Sequence, residues 1–292
     1  MEWQRIVELQ DEQSGQFGTG YLLSSGLVLT ARHVVEGTNA IRARLLEPDE
    51  DGLPGGIGER QPARVVWSGG ADLDLALLQP ADGSAPFRVG AMPAMVARLA
   101  DRGAVRVDAL GFPRALDSPA HADTLHVEAL ANPWSDLRGS SLLLDVKTSR
   151  PGEADEWKGM SGAAVFAGDR IVGVVEAVPA RLAEGTLRAT RADLLFSAVA
   201  VRAVLAAASV QLAERVVDAE YVDALPRSGS WGGVREQYTR AVVTNLCRID
   251  HVGFAVGGAT DRRMPALAAF TSQRFEPWPA GSWPLRPDVL TR

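Results

Sequence analysis

Three residues of types able to move a proton or attack a carbonyl stand in distinctive contexts: Ser161, His33 and Asp74. Ser161 lies in Trp157-Lys158-Gly159-Met160-Ser161-Gly162-Ala163-Ala164-Val165-Phe166. A serine between glycines, followed by small residues and an apolar run, suits an acyl-transfer nucleophile that works beside a developing oxyanion. Gly159 can take backbone angles that other residues avoid, so its N–H and that of Ser161 can aim at one point. By itself the stretch also fits an ordinary turn. His33 lies in Thr30-Ala31-Arg32-His33-Val34-Val35, where an apolar strand ends and a short helical turn presents one imidazole. A lone histidine beside apolar residues also fits a satisfied structural group. Asp74 precedes Leu75-Ala76-Leu77-Leu78, a buried-strand pattern, so burial and a hydrogen bond there would hold an imidazole in one tautomer. Asp72 is the alternative acid and reads as solvated; Asp74 is preferred because the apolar run follows it without interruption.

The order along the chain decides between these readings. His33, Asp74 and Ser161 are separated by 41 and 87 residues. An α/β-hydrolase would run serine, acid, histidine and would carry a glycine two places after the serine, where this chain has Ala163. Beyond Ser161 there is only His251, in a region without a hydrolase pattern.

Thr30-Ala31-Arg32-His33, Asp74-Leu75-Ala76-Leu77-Leu78 and Gly159-Met160-Ser161-Gly162, in this order on short β elements, resemble the trypsin-like (chymotrypsin-fold) serine peptidases of the bacterial, disulfide-free type. The resemblance covers about residues 1–205. It implies a mostly β fold of two six-stranded antiparallel barrels with the active site between them. Barrel one would span about 1–90 and barrel two about 100–193, with a helix over 194–208 completing the domain. It also implies that Ser161 attacks the scissile carbonyl, that His33 takes and returns the proton, that Asp74 orients His33, and that the Gly159 and Ser161 N–H groups hold the oxyanion. The substrate would be a protein or peptide, and no cofactor or metal is needed. Two alternatives keep the same fold: an inactive peptide-binding module, and an esterase using the same triad.

Two departures narrow the expectation. Secreted trypsins have an aspartate just before the nucleophile, where a newly cut N-terminus inserts; Met160 here disfavours that mode of activation. Ala164 replaces the family's proline three residues after the nucleophile, without chemical consequence. Asp155, six residues before Ser161, occupies the position that in trypsin lies at the base of the primary pocket. It would then favour cleavage after Arg or Lys, whereas flanking Glu153 and Glu156 fit a solvated loop acid. Val178 is placed to narrow the pocket mouth.

The elements expected to carry these residues are short strands between Gly/Pro turns: Arg5 to Gln10, Tyr21 to Leu23, Leu27 to Thr30, Ala63 to Trp67 and the run after Asp74 in the first half. In the second half they are Val105 to Phe112, Leu125 to Leu130, Leu142 to Lys147, the run after Ser161, and Arg170 to Glu176. Residues 47–61, rich in Pro, Gly and acids, read as an exposed loop. His121 and His126, five apart and with no cysteine or third histidine near, do not read as a metal site.

Composition excludes other classes. With 292 residues, 46% hydrophobic and 23% charged, the chain suits one large globular domain or a domain with an appendage. A net charge of −6 gives no basic field for nucleic acid, although all basic residues but Lys147 and Lys158 are arginine. No signal-peptide pattern or membrane-length apolar run is read, and Cys247 stands alone, so a cytoplasmic protein without internal disulfides is expected.

After the domain, 209–292 reads as a helical linker with a small appendage: helical spacing over 211–225, a linker at 226–233, a helix at 234–247, a strand at 249–256 and a Pro/Trp-rich tail. Arg235-Glu236-Gln237-Tyr238 to Phe254, followed by Met264 to Phe275, resembles the connector joining an effector to a NACHT-type NTPase in bacterial defence proteins. The resemblance implies a protease effector regulated by a sensor or NTPase module. A peripheral appendage or dimer contact fits the same residues. No Gly-x4-Gly-Lys-Ser/Thr phosphate loop is present in the chain.

Overall fold

A computed structural model describes residues 2–225 apart from 25, 39, 49–53, 83, 85–86, 88–92, 101–102, 114–123, 134–140, 149–153, 178–184 and 214–215. The chain divides into two compact units, Met1–Leu225 and Pro226–Arg292. The linker, helix, strand, connector and tail expected over 226–292, with Cys247 and His251, lie outside the described residues.

The first half forms β1 (Ile6–Asp11), β2 (Phe17–Ser24), β3 (Leu27–Thr30), β4 (Ile41–Pro48), β5 (Pro54–Ile57), β6 (Gln61–Ser68) and β7 (Ala76–Pro80), with one helical turn, α1 (Arg32–Val35), between β3 and β4. The sheet order β1-β2-β3-β7-β6-β4 closes on itself through a β1–β4 pairing, which makes a six-stranded antiparallel barrel. β5 is an extra strand hung on β4, inside the stretch expected as loop. The second half forms β8 (Met95–Val96), β9 (Val105–Gly111), β10 (Leu125–Asn132), β11 (Ser141–Val146), β12 (Ala164–Ala167), β13 (Arg170–Ala177) and β14 (Thr186–Arg191). Here β12-β9-β10-β11-β14-β13 closes through a β12–β13 pairing, giving a second six-stranded barrel. This is the chymotrypsin fold. Closure leaves neither barrel with a full-length unpaired edge.

Alternation along the strands sorts side chains into interiors and a shared seam. Val7, Leu9, Leu22, Val28, Ala43 and Leu78 fill barrel one. Val105, Val107, Val127, Leu142, Leu144 and Val165 fill barrel two. The opposite faces of β2, β3, β7 and β12 are apolar too: Leu23, Leu29, Leu77 and Phe166 meet between the barrels. There Tyr21 and Phe166 make an edge-to-face pair with centroids 5.0 Å apart. Strands buried on both faces explain the unbroken apolar runs of the sequence, which carry no period-two signal.

The end of this unit differs from the sequence expectation. In place of one helix over 194–208, a 3-10 segment at Ala192–Ser197 is followed by α2 (Val199–Ala207). α2 stops because Ser209 adopts a left-handed φ of 56°, while Val210 N–H donates to Leu205 and Ser209 N–H to Ala206. Helical spacing over 211–225 gives way to β15 (Gln211–Leu212), parallel to β8, and then α3 (Ala219–Ala224), whose first turn is capped by the Asp218 carboxylate on Tyr221 N–H. Burial of Val217 and Val222 against barrel two, and of Val210 in the seam cluster, overrides helical periodicity, and the compact unit continues to Leu225. Among the described residues no helix is long and apolar enough to cross a membrane.

Leu77 is fully buried in the seam. Leu77→Ala is expected to cost about 2–5 kcal/mol, read as a lower urea midpoint at unchanged slope. A loss under about 1 kcal/mol would contradict the packing described.

Candidate active site

Register brings His33 and Asp74 together. β3 and β7 pair antiparallel with Thr30 opposite Ala76, so the residues just after Thr30 and just before Ala76 emerge at the same end of the ladder. At that end α1 presents His33, and Asp74 accepts two hydrogen bonds from it: His33 N–H to Oδ1 at 2.9 Å and ring Nδ1 to Oδ2 at 2.7 Å. A carboxylate only accepts, so Nδ1 carries the proton and Nε2 presents a lone pair. Among the described residues Nε2 has no hydrogen-bond partner. The His33 side chain is 41% exposed and that of Asp74 19%, which leaves the imidazole open to a substrate above a sheltered acid. Asp72 is exposed.

Burial alone would raise the Asp74 carboxyl. The hydrogen bond from the His33 ring, the attraction of that ring when it is protonated, the His33 N–H and the Arg32 charge outweigh it, and Asp74 lies below the ordinary value of 3.8.

Ser161 sits where barrel two meets barrel one. Its backbone carbonyl accepts from Thr19 N–H of β2 at 2.8 Å, and Gly162 N–H donates to Val175 at 2.7 Å. Gly162 has φ +89°, and a Cβ there would stand 1.9 Å from the Thr19 carbonyl oxygen, so only glycine lets the two backbones approach. Ser161 Oγ donates to the Glu176 backbone carbonyl at 2.6 Å. Among the described residues, it shares no hydrogen bond with His33.

The turn before the serine has a defined handedness. Met160 N–H bonds to Trp157 at 3.0 Å and Gly159, the third residue of the turn, has φ +96°, the combination of a type II turn. A Cβ on Gly159 would lie 2.1 Å from the Phe112 carbonyl oxygen. Among the described residues, neither Gly159 N–H nor Ser161 N–H has an acceptor. Both are thus unpaired donors beside the serine hydroxyl among the described residues.

Two residues here escaped sequence reasoning. Thr19, wholly buried in β2, bonds to Gly159, Ser161, Phe112 and Thr30. Glu176, buried near the end of β13, accepts from Ser141 Oγ at 3.0 Å and Thr190 Oγ1 at 2.5 Å and pairs with Arg188. An acid ending the apolar run Ile171-Val172-Gly173-Val174-Val175 was a visible signal for Glu176; Thr19 had none.

Asp155 lies in the 3-10 turn Ala154–Trp157; its side chain is 63% exposed and paired with Lys158 at 2.6 Å. Val178 and His121 lie outside the described residues. His126 bonds to Asp108 at 3.2 Å, and that bond, against partial burial, raises the imidazole above its ordinary 6.5. With Glu128 these residues form a partly exposed group whose potential ligand atoms lie within 4.8 Å of one another, the one such group among the described residues.

Two closed antiparallel barrels, with a histidine–aspartate pair on the first and a glycine-flanked serine on the second, are the architecture of the trypsin-like serine proteases. The model of the trypsin-like peptidase domain matches residues 18–174, more than half of the chain, and the chain belongs to that family. It is similar to the Rv3671c protease of M. tuberculosis in its inactive form, at 18% identity over 70% of this chain and 89% of that one, TM-score 0.44. It is also similar to the serine protease of a human pathogenic astrovirus (18% identity, 65% of this chain and 91% of that one, TM-score 0.40) and to the serine endoprotease of Yersinia pestis (19%, 67% and 61%, TM-score 0.45). No curated protein matches the sequence.

A carboxyl lowered by folding adds stability above its unfolded value and loses that contribution as pH falls through its folded value. The stability difference between the wild type and Asp74→Asn is therefore expected to be full above the ordinary carboxylate value of 3.8 and to shrink as pH falls below it, measured by urea midpoints. Parallel decline of the two proteins would contradict the assignment.

Proposed function

We propose that this trypsin-like serine protease cleaves protein or peptide substrates through His33, Asp74 and Ser161. The observation that carries this reading is the double hydrogen bond from His33 to Asp74, which leaves Nε2 as a base at the mouth of the site. Ser161 Oγ leaves the Glu176 carbonyl, gives its proton to His33 Nε2 and bonds to the scissile carbonyl carbon. The oxygen becomes an anion, held by the Gly159 and Ser161 N–H groups. Its collapse breaks the C–N bond, and the amine departs with the proton from His33. Water, deprotonated by the same nitrogen, then releases the acyl group and restores Ser161. Asp74 stays ionised throughout, orienting the ring and stabilising its charged form.

The exposed Asp155–Lys158 pair supports the solvated-acid reading of Asp155 over a role at the base of a pocket. The finer form of the proposal is a regulated effector of a bacterial defence system, with 226–292 as its connector to a NACHT-type NTPase or sensor. Its support is the sequence resemblance of 235–275, together with a serine hydroxyl that rests on Glu176 instead of His33. A single cysteine in the chain suits a reducing compartment such as the cytoplasm.

A fluorophosphonate probe is expected to label Ser161 in the full chain. Ser161→Ala should abolish labelling and lower kcat on a cleaved peptide by about 10⁶-fold. Absence of labelling would favour the binding module; labelling with turnover of esters but not peptides would favour the esterase.

A further inference from the structure

We propose that Thr19 is a positioning residue for the hydrolytic site: from barrel one, it aims the oxyanion donors of barrel two. This inference rests on the reading of Ser161 as nucleophile. Thr19 lies in the middle of β2, in Phe17-Gly18-Thr19-Gly20-Tyr21, and is 0% exposed. A hydroxyl removed from water must find partners, and a threonine costs more at such a place than valine unless it does.

Its partners are all at the site. Thr19 Oγ1 donates to the Gly159 carbonyl at 2.6 Å and accepts from Phe112 N–H at 3.1 Å. Its own N–H donates to the Ser161 carbonyl at 2.8 Å, and its carbonyl accepts from Thr30 Oγ1 at 2.7 Å, three residues before His33. One residue thus joins the strand leading to the base, the segment after β9 and both sides of the serine.

The geometry of the peptide chain turns these contacts into an effect on the donors. Peptide units are planar, so holding a carbonyl fixes the whole unit. Of the three units from Gly159 to Gly162, Thr19 holds the first through the Gly159 carbonyl and the third through the Ser161 carbonyl. The middle unit carries the Ser161 N–H. Its carbonyl, on Met160, accepts from Ala163 N–H at 3.0 Å, so in a trans peptide the Ser161 N–H points the opposite way. The Gly159 N–H belongs to the unit just before the first anchored one, and its direction follows from the Gly159 φ of +96°. The hydroxyl of Thr19 is the only side-chain group among the described residues that bonds to the backbone of this turn. Phe112, which supplies the other bond to that hydroxyl, also places its own carbonyl where a Cβ on Gly159 would clash. Hydroxyl, turn and Phe112 backbone therefore form one fitted unit.

Thr19→Val tests the hydroxyl alone, since it keeps the branched shape and both backbone bonds. The expected result is a fall in kcat of about 10²-fold, the lower end of what losing one oxyanion donor costs, with KM within about two-fold. Affinity for a peptide boronate, whose tetrahedral adduct occupies the oxyanion site, should fall in parallel, while affinity for the unreactive product peptide holds. Thr19→Ser, which restores the hydroxyl, should recover most of the loss. A purely structural residue would move the urea midpoint without separating boronate from product affinity, and that outcome overturns the proposal, as does a Thr19→Val enzyme with wild-type kcat. If Thr19→Val does not fold, the Thr19→Ala variant is read by the same two affinities. Wild-type labelling at Ser161 with unchanged Thr19→Val catalysis would sink this inference and leave the triad standing. Failure of the wild type to label would remove both.

Discussion

The structure depends on a strand that cannot face water on either side. β2 is buried on both faces because it belongs to barrel one through Leu22 and to the seam between the barrels through Tyr21 and Leu23. Along such a strand every polar group needs an internal partner. Thr19 meets that requirement across the seam, on the turn that carries Ser161, and through Thr30 on the strand that leads to His33. The packing of the two barrels and the assembly of the site are thus one constraint, since the hydrogen bonds that satisfy the buried strand also align the site.

Electrostatics divides along the same seam. On the barrel-one side, Asp74 is sheltered and doubly bonded to His33, so its charge stays on the ring it faces. On the barrel-two side, Glu176 is bonded to two hydroxyls and Arg188, which consumes its carboxylate and leaves only its backbone carbonyl to meet Ser161. Two acids close to one site, Asp74 half-buried and Glu176 buried, thereby take different parts. One is directed at the imidazole, and the other locks the end of β13 in place.

What the sequence disclosed followed from how local each signal was. His33, Asp74 and Ser161 were legible because each stands at the end or the beginning of an apolar run, with small residues that mark a turn. The strands were legible as short apolar segments between Gly and Pro. Thr19 was not, since nothing in Gly18-Thr19-Gly20 announces partners 93 and 140 residues away. Residues 211–225 misled for the same reason: the pairing of Gln211 with Met95 and the burial of Val217 beside Leu99 are long-range facts, and helical spacing is a local one. The paired state of Asp155 depends on Lys158 sitting one turn onward, which the acidic neighbours Glu153 and Glu156 obscured.

The closing segment of the first unit has a mechanical consequence. Leu225, just after α3, has its side chain against Gly168, while Tyr221 bonds to Asp169 and Arg170 in the same tight hairpin. That hairpin joins β12 to β13, and Ser161 lies just ahead of the former as Glu176 lies near the end of the latter. A load pulling on the polypeptide past Leu225 would be borne first by this hairpin tip, and so by the two strands between which the serine hydroxyl rests.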